Sequence, residues 1–388
     1  MGLALNLIVT FVFVAVQWRI ATMLLRAAGR LFSGWARTAA RATVFLFDAV
    51  LLAGYSFSFS ELVPHLGVPG HIALILGAGI LAYLITATAA LPVYLAFKAI
   101  GKQLGADVNP GRRRALNAAG NVLMAAPFVV MGYGAMIERL DFRVRELDVP
   151  LPGLPLDLDG LRILQLSDIH LSAFLRESEL ARVIDMALDL RPHVAVVTGD
   201  LISFRGDPLD ACIRQLARIK SDAGTFGCMG NHERYARAER HVVEAGARAG
   251  IRFLRGQAQT LRFGNSLLNL AGVDYQSLAD RGNYLRGAER LVVPGAVNVL
   301  LSHNPDVFPV AARQGYNLLL AGHTHGGQVT VEILDQSINP ARFFTPYVYG
   351  LFRAGRSAAY VTRGIGTIGI PARIGAPPEI SVLRLRKA

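Results

Sequence analysis

Leu161–His170 reads LRILQLSDIH, and the rest of the chain is best understood outward from it. Its first half is a short, almost wholly apolar run, the pattern of a strand buried on both faces. Its end is polar, and Asp168 and His170, two residues apart at a strand terminus, can direct an oxygen and a nitrogen at one point. The same pattern recurs downstream: Val194–Val197 before TGD, Thr225–Met229 before GNHE, Val297–Leu301 before SHNP, and Leu318–Ala321 before GHTH. Helical patterns such as Glu177–Leu190 and Leu209–Ile219 fall between them. Strands alternating with helices predict an α/β domain. In such sheets ligands collect beyond the carboxyl ends of the strands, where these polar clusters fall.

The clusters bring together Asp168, His170, Asp200, Asn231, His232, His303, His323 and His325. Each pair alone is weak: a lone Asp-x-His is more often a surface turn, and a lone buried histidine more often a hydrogen-bonded core residue. Five such motifs in order at strand ends are hard to assign to chance. Imidazole and carboxylate without thiolate suit Mn, Fe, Zn or similar ions rather than a structural zinc knot. Eight such groups exceed one ion's needs, and two divalent ions sharing a carboxylate fit. His65, His71, His193 and His241 lack this company and read as structural. Neither a Walker A sequence nor a G-x-S-x-G elbow occurs. GIGTIG, Gly364–Gly369, matches a dinucleotide fingerprint, but Pro371 and Pro377 follow it in place of a helix, so it reads as a turn-rich loop near the site rim.

Toward the N-terminus the composition changes. The chain has 388 residues, 52% of them hydrophobic and 18% charged, and a mean hydropathy of +0.38, too apolar for an ordinary soluble domain. Four runs approach the roughly 20 residues needed to span a bilayer: Leu3–Leu25, Ala42–Ser60, Ile72–Phe97 and Ala115–Ile137. The chain is therefore read as a four-helix transmembrane region at 1–137, a linker at 138–160 and a catalytic domain at 161–388. Met1–Gln17 has no basic n-region, so the first run is not read as a cleavable signal. Asp48, within the second run, is expected to pair with a nearby Arg or reach the interface.

The net charge of +12 sits largely in two loops. Arg26, Arg30, Arg37 and Arg41 follow the first run; Lys98, Lys102, Arg112, Arg113 and Arg114 precede the fourth; Glu61–His71 holds no Lys or Arg. Basic short loops stay in the cytoplasm, so the catalytic domain is expected outside, and the charge reflects topology rather than a nucleic-acid partner. Cys212 and Cys228 are too few for a disulfide framework.

The series SDIH, GD, GNHE, SH and GHTH resembles the calcineurin-like metallophosphoesterase superfamily from Leu161 to the C-terminus. The tail YVTRGIGTIGIPARIGAPPEISVLRL is similar to that of the bacterial membrane-associated subgroup, the YkuE- and YaeI-type phosphoesterases and the alternative lipid A pathway hydrolases. The resemblance implies a two-sheet sandwich flanked by helices. It implies Asp168, His170 and His325 on the first metal, Asn231, His303 and His323 on the second, and Asp200 bridging them. His232 would be the catalytic histidine, with Glu233 placed to orient it; Asp200 and Asn231 complete the catalytic set. Ions roughly 3.5–4 Å apart can clamp an in-line displacement at phosphorus and supply hydroxide at neutral pH. Arg176, Arg205, Arg234 and Arg237 are candidates to contact phosphate, though a solvated surface role is commoner for any one of them. The expected substrate is a phosphodiester or phosphomonoester of a lipid or envelope component, with membrane lipids as partners. Two alternatives are a UDP-2,3-diacylglucosamine-type pyrophosphatase, and a membrane sensor or transporter with a vestigial phosphoesterase domain.

Overall fold

A computed structural model describes residues 2–59, 70–103, 109–333 and 336–388. The chain divides into two compact units, Met1–Gly132 and Tyr133–Ala388.

The first unit is helical: α1 (Gly2–Leu31), α2 (Gly34–Phe59), α3 (Gly70–Gln103) and most of α4 (Pro110–Met136). Among the described residues three of these are long and apolar enough to cross a membrane, over Thr10–Leu31, Ile75–Gln103 and Pro110–Leu140. This corrects the expected count of four. The exception is α2, whose side chains are described only as far as Ala53, and that part carries Arg37, Arg41 and Asp48. The loop before α3, which holds no Lys or Arg, lies largely outside the described residues. Asp48 is paired differently from expectation. It accepts a hydrogen bond from Gln17 Nε2, and Gln17 Oε1 accepts one from Tyr83 Oη at 2.6 Å. A neutral amide rather than an arginine thus satisfies the acid, and the chain of bonds ties three helices together beside the apolar contacts of Phe13, Leu51, Ile80 and Leu84.

The second unit is built on two six-stranded sheets. One has the order β1-β14-β2-β3-β4-β5, from β1 (Arg143–Leu151), β2 (Arg162–Leu166), β3 (Val194–Thr198), β4 (Thr225–Cys228), β5 (Ile251–Phe253) and β14 (Glu379–Lys387). The other has the order β12-β13-β9-β8-β7-β6, from β6 (Gln257–Phe263), β7 (Ser266–Gly272), β8 (Val297–Leu301), β9 (Leu318–Ala321), β12 (Gly350–Ala354) and β13 (Ser357–Val361). This is the expected two-sheet sandwich flanked by helices. The stretch read as a linker is folded into this unit, since β1 pairs in parallel with β14 along its whole length.

Strand alternation explains why the strand sequences are almost continuously apolar. Ile163, Val194 and Val196 point between the sheets together with Val299, Leu318 and Leu320. Their neighbours Leu164, Leu166, Ala195 and Val197 face the other way, onto Leu180, Val183 and Ile184 of helix α5 (Glu177–Leu188). The β14 strand serves both layers: Ile380 and Val382 lie on the helix side, Leu383 and Leu385 between the sheets. The parallel order places the ends of β2, β3, β4, β8 and β9 along one edge of the sandwich.

Leu383 is fully buried between the sheets, so Leu383→Ala should cost about 2–5 kcal/mol. Leu156→Ala, at an exposed site, should change stability by less than about 0.5 kcal/mol. Cys212 and Cys228 are free and buried. Thiol labelling during thermal unfolding of the full chain therefore reads the difference, and equal labelling curves for the two variants would contradict this packing.

Candidate metal centre

Each sequence motif occupies the turn that leaves a strand. Asp168 and His170 follow β2, Asp200 follows β3, and Asn231 opens the short helix α7 (Asn231–Ala236) after β4. His303 follows β8, and His323 and His325 follow β9. The turns are unusual. Asp168, His170, Asp200, His323 and His325 all have positive φ, between 48° and 73°. That region costs a non-glycine residue on the order of 1–3 kcal/mol and concentrates at functional sites. The turns survive because their neighbours hold them: His323 N–H donates to Asp168 Oδ1 at 2.9 Å, and His170 N–H to the Asp200 carbonyl at 3.0 Å.

The side chains converge. Asp200 Oδ2 lies 3.0 Å from His303 Nε2 and 3.5 Å from His170 Nε2. Asp168 Oδ1 lies 3.4 Å from His325 Nε2. Ligand atoms of Asp168, His170 and His325 fall within 4.8 Å of one another, as do those of Asp200, His303 and His323. These groupings match the expected first-metal set and most of the second. The remaining member, Asn231, is buried, and its Oδ1 has no hydrogen-bond partner; neither has His170 Nε2. Buried polar atoms rarely stay unpartnered, and these two are atoms a cation would take. With a donor set of oxygen and nitrogen only, the residues fit divalent cations.

The electrostatics agree. Burial opposes charge on Asp200, but His303 and then His170 hold it well below the usual carboxylate range. Burial opposes the charged form of His303 too, yet the carboxylates of Asp200 and Asp168 outweigh it and lift the imidazole to about 10. Burial pushes His170 and His325 down, and His323 to about 4. The pocket thus favours a charged His303 and neutral His170, His323 and His325 around carboxylates that can hold cations.

The hydrogen bonds behind the cluster fix the rings. The His303 Nδ1 atom sits 2.7 Å from the Thr198 carbonyl, and His232 Nδ1 sits 2.6 Å from that of Ser203. A carbonyl only accepts, so each Nδ1 carries the proton and each Nε2 is left for the cavity. His232 also groups with His170 and Asp200. Glu233 is not the partner of the His232 ring. Its buried carboxylate accepts N–H groups of Asp200, Leu201 and Gly230 at 2.7–2.9 Å. Burial, then the Asp200 charge, push it up to about 7. It ties two turns together, while Ser203 orients His232.

Several participants carried no sequence signal. The ring of Tyr275 is centred 5.6 Å from His323 and 6.1 Å from His303. Arg373 is fully buried; it donates to the carbonyls of Gly366, His325 and Ala376, and burial lowers it to about 10. The GIGTIG loop is a floor rather than a rim. Gly366 N–H donates to the Asp168 carbonyl at 2.7 Å, and a Cβ there would come within 2.2 Å of the Ile169 carbonyl. Of the candidate arginines, Arg205 and Arg237 line a cleft of about 470 Å³, and Arg234 shares another of about 220 Å³ with Tyr275. Arg176 instead starts α5, its N–H held by Glu179. His193 accepts from Arg162 N–H and His241 pairs with Asp210, as structural residues should; His65 and the side chain of His71 lie outside the described residues.

Residues 161–327 match the family model described as calcineurin-like phosphoesterase. The chain is 32% identical to a transmembrane protein with metallophosphoesterase domain from Danio rerio, over 67% of this chain and 61% of that one. It is 31% identical to the uncharacterized metallophosphoesterase YkuE of Bacillus subtilis, over 66% and 89% of the two chains. With phosphodiesterase YaeI of Escherichia coli it shares 31% identity, over 58% and 82%. The chain thus spans less than two thirds of the Danio rerio relative.

Asp200→Asn should remove most of the bound metal, because a neutral amide gives up the negative charge that balances a divalent cation. Elemental analysis of the full chain after manganese reconstitution checks this. Wild-type occupancy retained in the variant would rule out Asp200 as the shared ligand.

Proposed function

Since the chain belongs to the calcineurin-like metallophosphoesterase family, we propose that it is a membrane-anchored phosphoesterase using two divalent ions on a lipid or envelope phosphoester. The observation that carries this reading is the convergence of both ligand groups on Asp200 and Asp168. Asp168, His170 and His325 would hold one ion, Asn231, His303 and His323 the other, with Asp200 between them. When bound, the ions would acidify an attacking water and offset charge on the phosphoryl oxygens. The protein's own groups do the rest. Thr198 and Ser203 hold the imidazoles of His303 and His232 in one tautomer. His232 N–H donates to Asp200 Oδ1 at 2.9 Å, which keeps this histidine beside the reacting centre. With its Nδ1–H committed to the Ser203 carbonyl, His232 acts as the acid in its doubly protonated form, giving the Nε2 proton to the departing alkoxide and keeping the one on Nδ1, a contribution of about 10²–10⁴-fold. A vestigial domain would have no reason to keep this constellation of strained turns intact.

The proposed location is the cell membrane, with the catalytic unit on its outer, periplasmic or extracellular side. Support comes from the apolar helices and from basic clusters at Arg26–Arg41 and Lys98–Arg114 against a segment between them without Lys or Arg. Both clusters stay inside only if an even number of helices crosses between them, and of the two there only α3 is long and apolar enough over its described residues, so the fusion experiment below decides the side.

Activity on a model diester and a model monoester with manganese tests the reaction class. His232→Ala should keep its metal and lose rate, most for esters with poor leaving groups and least for p-nitrophenyl esters. Equal losses across leaving groups would remove the acid role, and metal loss would make His232 a ligand. For orientation, a C-terminal alkaline phosphatase fusion should be active and a C-terminal green fluorescent protein fusion dark. The reverse pattern would place the catalytic unit in the cytoplasm.

A further inference from the structure

Few large apolar side chains are exposed in the second unit, and half of them, Phe204, Tyr235, Leu278, Phe343 and Phe344, lie on segments around the metal centre. Phe204, 47% exposed, has its ring centred 6.1 Å from that of His232; Tyr235, 66% exposed, lies 5.5 Å from it. Leu278 and Phe344, both exposed, line with His323 a small cavity of about 170 Å³, and Phe343 beside them is 88% exposed. These residues come from four separate segments, one of them the short helix Asn231–Ala236, so no single loose segment explains them. Water-facing apolar groups gathered at one place mark a surface that something else covers.

Each segment also carries an exposed arginine next to its apolar tip: Arg205 beside Phe204, Arg234 beside Tyr235, Arg281 near Leu278, and Arg342 before Phe343. Among the described residues none of the four is in an ion pair. The acids nearby are engaged by other groups in most cases: Asp207 accepts the N–H groups of Ser203 and Phe204, Asp306 takes the Thr345 hydroxyl, and Asp210, in the cleft with Arg205, pairs with His241. Glu239 shares the smaller cleft with Arg234 and Arg255, and exposed Asp280 stands beside Arg281. Separate apolar tips, each flanked by a cation, suit a bilayer interface: the rings enter the acyl boundary while guanidinium groups meet anionic headgroups. A protein partner would rather call for one contiguous apolar patch. The same chain carries helices long and apolar enough to cross a membrane.

We infer that the rim formed by Phe204, Tyr235, Leu278, Phe343 and Phe344 docks on an anionic lipid surface and opens the metal centre toward headgroup phosphoesters. The inference rests on the proposed lipid-phosphoester reading of that centre. It makes the substrate an amphipathic phosphoester still resident in the bilayer, its phosphate reaching the ions while its tails stay in lipid.

The experiment uses the full chain reconstituted in bilayers with and without phosphatidylglycerol. Because Cys212 and Cys228 are buried and unpaired, nitroxide labels can be directed to Phe343→Cys, Tyr235→Cys and, as a control away from the rim, Leu156→Cys. Depth is read as the ratio of oxygen to nickel-chelate collisions. In phosphatidylglycerol bilayers the two rim labels should exceed the control several-fold, and the excess should shrink in Arg281→Glu/Arg342→Glu and in high salt. Rim labels as aqueous as Leu156→Cys would overturn the docking, even in a chain active on a soluble ester. Labels at equal depth without anionic lipid would overturn the role of the arginines. Labels at depth in a chain inactive on every phosphoester would support docking and remove the enzymatic reading.

Discussion

Asp200 is a carboxylate with almost no exposure, pressed between the imidazoles of His303 and His170. An isolated charge in such a place is strongly disfavoured, and proteins accept it only where paired groups or metals compensate. The protein supplies part of that compensation itself: His303 is drawn toward its charged form, and His232 N–H donates to Asp200 Oδ1. The rest is left for cations, as the unpartnered His170 Nε2 and Asn231 Oδ1 indicate. The surrounding architecture follows from holding this carboxylate in place.

Holding it requires turns that ordinary sequences avoid. Gly199, at φ 90°, takes the chain from β3 into Asp200 with no room for a side chain, since a Cβ would lie 2.6 Å from Gly230 N. Glu233 then fastens the Asp200 turn to the Gly230 turn through backbone N–H groups. On the opposite side the Gly366 loop and Arg373 brace the Asp168 and His325 turns from beneath. Supports of this kind let strained backbone persist, because each turn is fixed from several directions at once. The two sheets contribute rigidity and a common edge, and segments around that edge are free to carry the exposed aromatic and arginine residues.

Much of this was legible in the sequence, because strand-end motifs are local. SDIH, TGD, GNHE, SH and GHTH each specify both a turn and its ligands within a few residues, and all converge as their pattern implied. What escaped was nonlocal. Tyr275 lies on a loop without a motif, Ser203 acts through its carbonyl, and Arg373 resembles any arginine until its burial is seen. Glu233 was assigned to the His232 ring from adjacency, yet a buried carboxylate is held by the backbone donors around it. For the stretch 138–160, read as an extended strand or linker, the pairing itself was not legible, because its partner β14 lies at the other end of the chain. In the first unit, composition gave four apolar runs but could not foresee that Gln17, itself inside an apolar run, would satisfy Asp48.

The central claim is that Asp200 joins two ions in one site. The electron paramagnetic resonance spectrum of the manganese-loaded full chain tests it most directly, because ions sharing a carboxylate couple magnetically and separate ions do not. The account predicts an exchange-coupled pair spectrum that disappears in Asp200→Asn. A spectrum of isolated manganese at full loading would contradict it.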